Sequence, residues 1–193
     1  MAINLSKGQK INLAKSNGNA LSAIRLGLGW DPIKTRGFFG FTKEKAVDLD
    51  ASVIFYSGNQ AVDIVFYGKL NDPANSVFHH GDNLTGQGDG DDEIIDVNLA
   101  AVPVQVTSLA LVITSYSQDR FDTIENAFVR VEDVSTRSEI ARFTVSDKGS
   151  HTGLLVAVLS LGPQGWEFKA SGAPLLGAAR TPRDVIQTVA TML

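Results

Sequence analysis

The chain has no cysteine in its 193 residues. That excludes a disulfide framework, thiolate zinc sites, iron–sulfur clusters and cysteine nucleophiles. Any metal must be held by oxygen or imidazole, and imidazole is scarce: His79, His80 and His151 are the only three histidines. Long apolar runs are missing too. No segment approaches the roughly 20 apolar residues that span a bilayer. The opening MAINLSKGQKINLAK holds no apolar stretch of signal-peptide length, so the expectation is a cytoplasmic protein without a transmembrane segment. Positive charge is in deficit, with 17 Lys and Arg against 21 Asp and Glu and a formal net charge of −4. Nucleic acid is therefore not expected as a partner, because neutralising phosphates needs a basic surface. Serine is plentiful, but no G-x-S-x-G elbow accompanies it.

What is present is alternation. In AIRLGLGW (23–30), Ile24, Leu26, Leu28 and Trp30 fall on one face; in VDLDASVIFY (47–56), Val47, Leu49, Ala51, Val53 and Phe55 do so, with Asp48, Asp50 and Ser52 opposite. Further strands are predicted at 61–67, 94–99, 109–116, 127–132, 139–145, 153–161 and 165–170, separated by turn-rich pieces such as NDPANS, QDRFD and GPQG. Many short strands at this density point to a β-sandwich or barrel in a single domain over 1–193. Helix is expected only as a turn within 117–126 and in 181–192, where Thr181 is placed as N-cap and Pro182 at the first helical position. The similar openings NLSKG (4–8) and NLAKS (12–16) suggest facing strands of a hairpin.

The most charged stretch is GDNLTGQGDGDDE (81–93), five carboxylates interleaved with four glycines. Glycine bends the backbone so that side chains and carbonyls can converge. Hard cations such as calcium take six to eight oxygens at roughly 2.3–2.6 Å, and the loop offers Asp82, Asn83, Thr85, Asp89, Asp91, Asp92 and Glu93, with carbonyls at Gly88 and Gly90. It is not an EF-hand: Leu84, Gly86 and Gln87 stand where two oxygen ligands and the obligatory glycine belong. A phosphate loop is excluded, since no Lys-Ser/Thr pair follows and the acids would repel phosphate. Asp31 at one strand end, and Asp48 and Asp50 roughly 7 Å apart on one side of another, could face the loop. The alternative is a solvated acidic hairpin. Adjacent His79 and His80 point to opposite sides of an extended chain, so both cannot ligate one ion; each is expected to be a partly exposed strand residue. Trp30, Trp166, Phe128 and Phe143 are expected in the core. GFFGFTKEK (37–45) is a candidate partner or membrane contact.

These motifs resemble the tellurium-resistance TerD family, which includes the TerZ-like paralogues. The resemblance is carried by NLSKG, GLGWD (27–31), DLDAS (48–52), VFYGKL (65–70), SVFHHGDNLTGQGDGDDEIIDVNL (76–99), ENAFVRV (125–131), EIARFTVS (139–146) and WEFKASG (166–172). The segment 32–47 is longer than in the shortest members, and the last twenty residues lack the family's glycine-rich tail. The resemblance implies an all-β fold, a sandwich of two mainly antiparallel sheets with short peripheral helices, one of them C-terminal. It implies two Ca2+ ions held by Asp31, Asp48, Asp50, Asp82, Asn83, Asp91, Asp92 and Glu93, with Thr85, Gly88 and Gly90 as further oxygen donors. It also implies a non-enzymatic bacterial stress protein tied to tellurite resistance, with other tellurium-resistance proteins or a membrane-associated complex as partners. A calcium-dependent protein- or membrane-interaction module of C2-like type is the alternative, and a metal-dependent hydrolase a more distant one. Direct tellurite chemistry would need soft or redox-active groups that a cysteine-free chain lacks.

Overall fold

The computed structural model describes residues 3–4, 8–12, 22–36, 41–88, 90–144, 149–163 and 165–193. In chain order the strands are β1 (Ile3–Asn4), β2 (Lys10–Asn12), β3 (Ala23–Asp31), β4 (Ile33–Arg36), β5 (Thr42–Lys45), β6 (Leu49–Ser57), β7 (Gln60–Val65), β8 (Val77–His79), β9 (Glu93–Asn98), β10 (Ser108–Ser115), β11 (Glu125–Asp133), β12 (Ser138–Thr144), β13 (Gly153–Gly162) and β14 (Gly165–Pro174). Two six-stranded sheets result, a front sheet ordered β1-β12-β11-β3-β9-β8 and a back sheet ordered β2-β14-β13-β10-β6-β7, with β4-β5 as a separate ribbon. Among the described residues only β1, beside β12, runs parallel to its neighbour. The fold is the expected all-β sandwich, and each of the nine strands read from alternation is present.

Alternation positions the core. Ile24, Leu26, Leu28 and Trp30 of β3, with Ile95, Val97, Val129 and Val131 beside them, meet Leu49, Ala51, Val53 and Phe55 of β6 and Leu109, Leu111 and Ile113 of β10. The opposite face of the back sheet does not look onto water. Ile54, Tyr56, Ala110, Val112 and Leu155 lie under Leu175, Ala179, Val185 and Val189 of the C-terminal segment, and the Tyr56 hydroxyl donates to the Ile186 carbonyl at 2.8 Å. Asp50 and Ser52, on the face of β6 opposite the core, are buried as well.

Several local expectations are corrected. Asn4 pairs into the front sheet and Asn12 into the back sheet, so these residues of NLSKG and NLAKS do not form a hairpin; the rest of both openings, apart from Gly8, lies outside the described residues. Helix in 181–192 is limited to a 3-10 turn Pro182–Asp184, closed by a Thr181/Asp184 capping box, followed by α1 (Ile186–Ala190). The turn in 117–126 is a 3-10 turn, Phe121–Thr123. Phe128 sits on the outer face of the front sheet with the Arg142 guanidinium 4.4 Å from its ring centre, not in the core. The side chain of Phe143 lies outside the described residues, as do Phe38 and Phe39; Phe41 is exposed beside the ribbon. No helix among the described residues is long and apolar enough to cross a membrane.

Candidate metal centre

The centre is built where β6 begins. Period two sends Ala51 into the core and Asp48 and Asp50 to the opposite side, and the connection from β8 to β9 carries Asp82 over them. One carboxylate oxygen from each of Asp48, Asp50 and Asp82 lies within 4.8 Å of the other two. That separation is about twice a calcium–oxygen bond, so one hard cation can reach all three. Asp50 is 1% exposed, yet its Oδ2, like Asp48 Oδ1, has no hydrogen-bond partner among the described residues. Thr114 of β10 stands directly across from Asp50, and its hydroxyl and that of Ser52 are likewise buried and unpartnered among the described residues.

A buried carboxylate without a donor is costly unless a cation compensates it. Burial, and then the neighbouring charges of Glu93, Asp48 and Asp82, push the Asp50 carboxyl up to about 8. Burial, followed by Asp82 and Glu93, pushes Asp48 up to about 6. The donor set is all oxygen and anionic, and its own protein environment leaves it uncompensated. It therefore fits a hard divalent cation.

Glu93, at the start of β9, backs the cluster. Its Oε2 accepts the Ala51 N–H at 2.7 Å, which ties the end of the acidic loop to the strand bearing Asp50. His79 is fully buried, correcting the expectation of a partly exposed residue. Its Nδ1 accepts the Gly81 N–H at 3.1 Å, and its Nε2 faces Glu93 Oε2 at 3.4 Å. His80, on the other side of the chain, bonds Asp96 at 2.8 Å and stays outside the cluster.

The remaining loop residues have different surroundings. Asn83 Oδ1 accepts from the backbone of Thr85 and Gly86 and from the Thr85 hydroxyl, while its amide donates to Asp92 at 2.9 Å. Asp92 also accepts from Trp30 N–H at 2.9 Å, and burial is the main cause of its raised pKa. Asp91 is clamped by both Nε and Nη2 of Arg130 at 2.7 Å. It lies against Gly27, where a Cβ would come within 2.2 Å of its carboxylate, so GLGWD needs its first glycine. Asp31 accepts from the Asn126 amide at 2.5 Å. Gly88 and Gly90 hold φ of +139° and +98°, conformations that favour glycine, and Asp89 lies outside the described residues. Of the residues singled out from sequence, Asp48, Asp50 and Asp82 thus converge with Glu93 behind them; Asn83, Thr85 and Asp92 brace the loop, and Asp91 and Asp31 are engaged elsewhere.

The carboxylates floor an open cleft of about 220 Å³ whose other lining residues are Tyr67, Leu84 and Tyr116. The rings of Tyr67 and Tyr116 meet edge to face, 6.1 Å apart. Neither tyrosine, nor Thr114, stood out in the sequence. The period-two pattern does put Thr114 in phase with Ala110 and Val112, but only strand pairing sets it opposite Asp50.

Comparison with known proteins identifies the family of the chain. A TerD domain profile matches residues 1–178. The chain is 42% identical to the tellurium resistance protein TerZ of Serratia marcescens over 173 residues, covering 88% of this chain and 89% of that protein. It is 38% identical to general stress protein 16U of Bacillus subtilis over 191 residues, covering 95% and 97% respectively. In fold it is similar to the crystal structure of a homologue of telluride resistance protein (TerD) from Streptomyces coelicolor, with a TM-score of 0.72 and 19% identity over 89% of this chain and 98% of that one. The chain belongs to the TerD domain family.

Proposed function

We propose that this protein is a calcium-binding, non-enzymatic stress-response protein of the bacterial cytoplasm, acting in tellurite resistance alongside other tellurium-resistance proteins. The observation that carries the calcium reading is the buried Asp50 carboxylate, whose Oδ2 has no donor among the described residues and which shares its space with Asp48 and Asp82. The names of the relatives, resistance and general stress proteins, support the physiological role. A bound calcium ion neutralises the cluster, and the Glu93 link to Ala51 then holds the loop on the back sheet. For the second ion implied by the family resemblance, Asp31 and Asp92 are the carboxylates bonded only to neutral donors, because Arg130 already neutralises Asp91.

Calorimetric titration of chelator-treated protein with calcium, with magnesium as competitor, tests this reading. Saturable uptake that is lost in Asp50→Ala and Asp82→Ala and poorly matched by magnesium is expected; titration without heat in the native chain sinks it. At free calcium 100-fold above Kd, ligation to the native state alone adds about 2.7 kcal/mol. For a domain of this size that corresponds to a Tm rise of about 5–10 °C.

A further inference from the structure

We propose that the cleft above the acidic cluster takes a small ligand bearing a phosphate or carboxylate on a flat apolar body, its oxyanion shared between the bound cation and Arg180. The inference rests on the calcium reading and deepens it, and three observations point to such a ligand. The first is coordination. Asp48, Asp50 and Asp82 approach from one side, and the other side is an open cleft of about 220 Å³. A hard cation wanting six to eight oxygens keeps positions facing that space for another donor.

The second observation is the wall. A site built only to sequester a hydrated ion needs polar groups around it. Here the cleft is bounded by Tyr67, Tyr116 and Leu84, and Leu84 is 59% exposed at the mouth. Aromatic rings present flat apolar area with a polar tip, suited to stacking a planar group while the hydroxyl meets solvent or ligand.

The third is Arg180. Its guanidinium carbon lies 5.1 Å from the centre of the Tyr116 ring, and its Nε donates to the Tyr116 carbonyl at 3.4 Å. No carboxylate pairs with the guanidinium among the described residues, although Asp184 is close enough to accept from the Arg180 backbone N–H at 3.1 Å. The guanidinium is instead stacked on Tyr116, which itself lines the cleft. A divalent cation on the cleft floor and a guanidinium on one of its lining tyrosines offer two positive partners to an oxyanion, and the fork suits phosphate or carboxylate geometry.

The test titrates the calcium-saturated full chain with phenyl phosphate, using inorganic phosphate and phosphatidylserine vesicles as comparison ligands and following calcium uptake of every sample separately. Phenyl phosphate is expected to bind only with calcium present, and at least about fivefold more tightly than inorganic phosphate through the ring contacts. Arg180→Gln is expected to weaken it by about tenfold, and Tyr67→Leu by about fivefold. Calcium uptake without phenyl phosphate binding overturns the ligand proposal and leaves the calcium reading standing. Absent calcium uptake overturns both. Equal affinity for inorganic phosphate, or indifference to Arg180→Gln, removes the walls or the rim from the site. Binding to vesicles but not to phenyl phosphate assigns the face to a membrane surface and overturns the small-ligand proposal.

Discussion

The two sheets share one core but treat their outer faces in opposite ways. On the front sheet the outer face is laced with ion pairs: Arg25 with Asp96, Arg130 with Asp91 and Glu132, and Arg142 with Glu139. On the back sheet the outer face is apolar and roofed by the C-terminal segment. On that face Asp96, Asp91, Glu132 and Glu139 each meet a guanidinium carried by the front sheet. Among the described residues the back sheet has no such partners for Asp48 and Asp50, and that difference, more than the number of acids, marks where a cation is wanted. Five carboxylates in one loop are not equivalent when one of them is already neutralised by Arg130.

Breaking the roof should have the largest effect. Leu175 is fully buried against the back sheet, so Leu175→Ala is expected to lose about 2–5 kcal/mol in urea unfolding. A loss under 1 kcal/mol would mean the segment adds little to the back sheet. Removing one charge from the front face should cost less. Arg130→Met keeps the stem but leaves the nearly buried Asp91 carboxylate without its clamp, and about 1–3 kcal/mol is expected because the guanidinium itself is partly exposed. If unfolding shows no change, the front-face pairs are ornamental and the comparison loses its force.

The uncompensated acids make a third prediction, about pH. Folding raises the carboxyl of Asp50 to about 8 and that of Asp48 to about 6. Groups raised on folding contribute stability that is complete below the unfolded value, near 4, and is lost as pH rises through the folded value. Chelated protein should therefore melt about 5 °C lower at pH 8 than at pH 5, and saturating calcium should abolish that slope. A chelated sample whose Tm rises from pH 5 to pH 8 would contradict the uncompensated cluster.

The long strands were legible in the sequence because burial on one face writes a period of two into the side chains. The short ones were not. β1, β2 and β8 have two or three residues each, too few for a period, and exist because a longer neighbour offers backbone partners. Asp48 and Asp50 could be placed together because strand geometry alone puts them on one side. The fate of Asp91 could not, since its partner is 39 residues away in sequence and reaches it only through the order of strands in the front sheet. His79 was hidden for a similar reason: its burial depends on β9 and the loop folding over it, which no local pattern records.

Trp30 joins more of the molecule than any one motif suggests. Its indole N–H donates to the Val47 carbonyl at 2.9 Å, on the approach to Asp48, and Gly86 of the acidic loop packs so closely on the ring that a Cβ there would sit 2.2 Å from Nε1. Its backbone N–H holds Asp92. The chain's other tryptophan, Trp166, is on β14, whose neighbours are β13 and β2. One indole chromophore thus lies against the loop and the second in a strand paired with β13 and β2, so the protein carries its own optical probe of the acidic loop together with an internal reference.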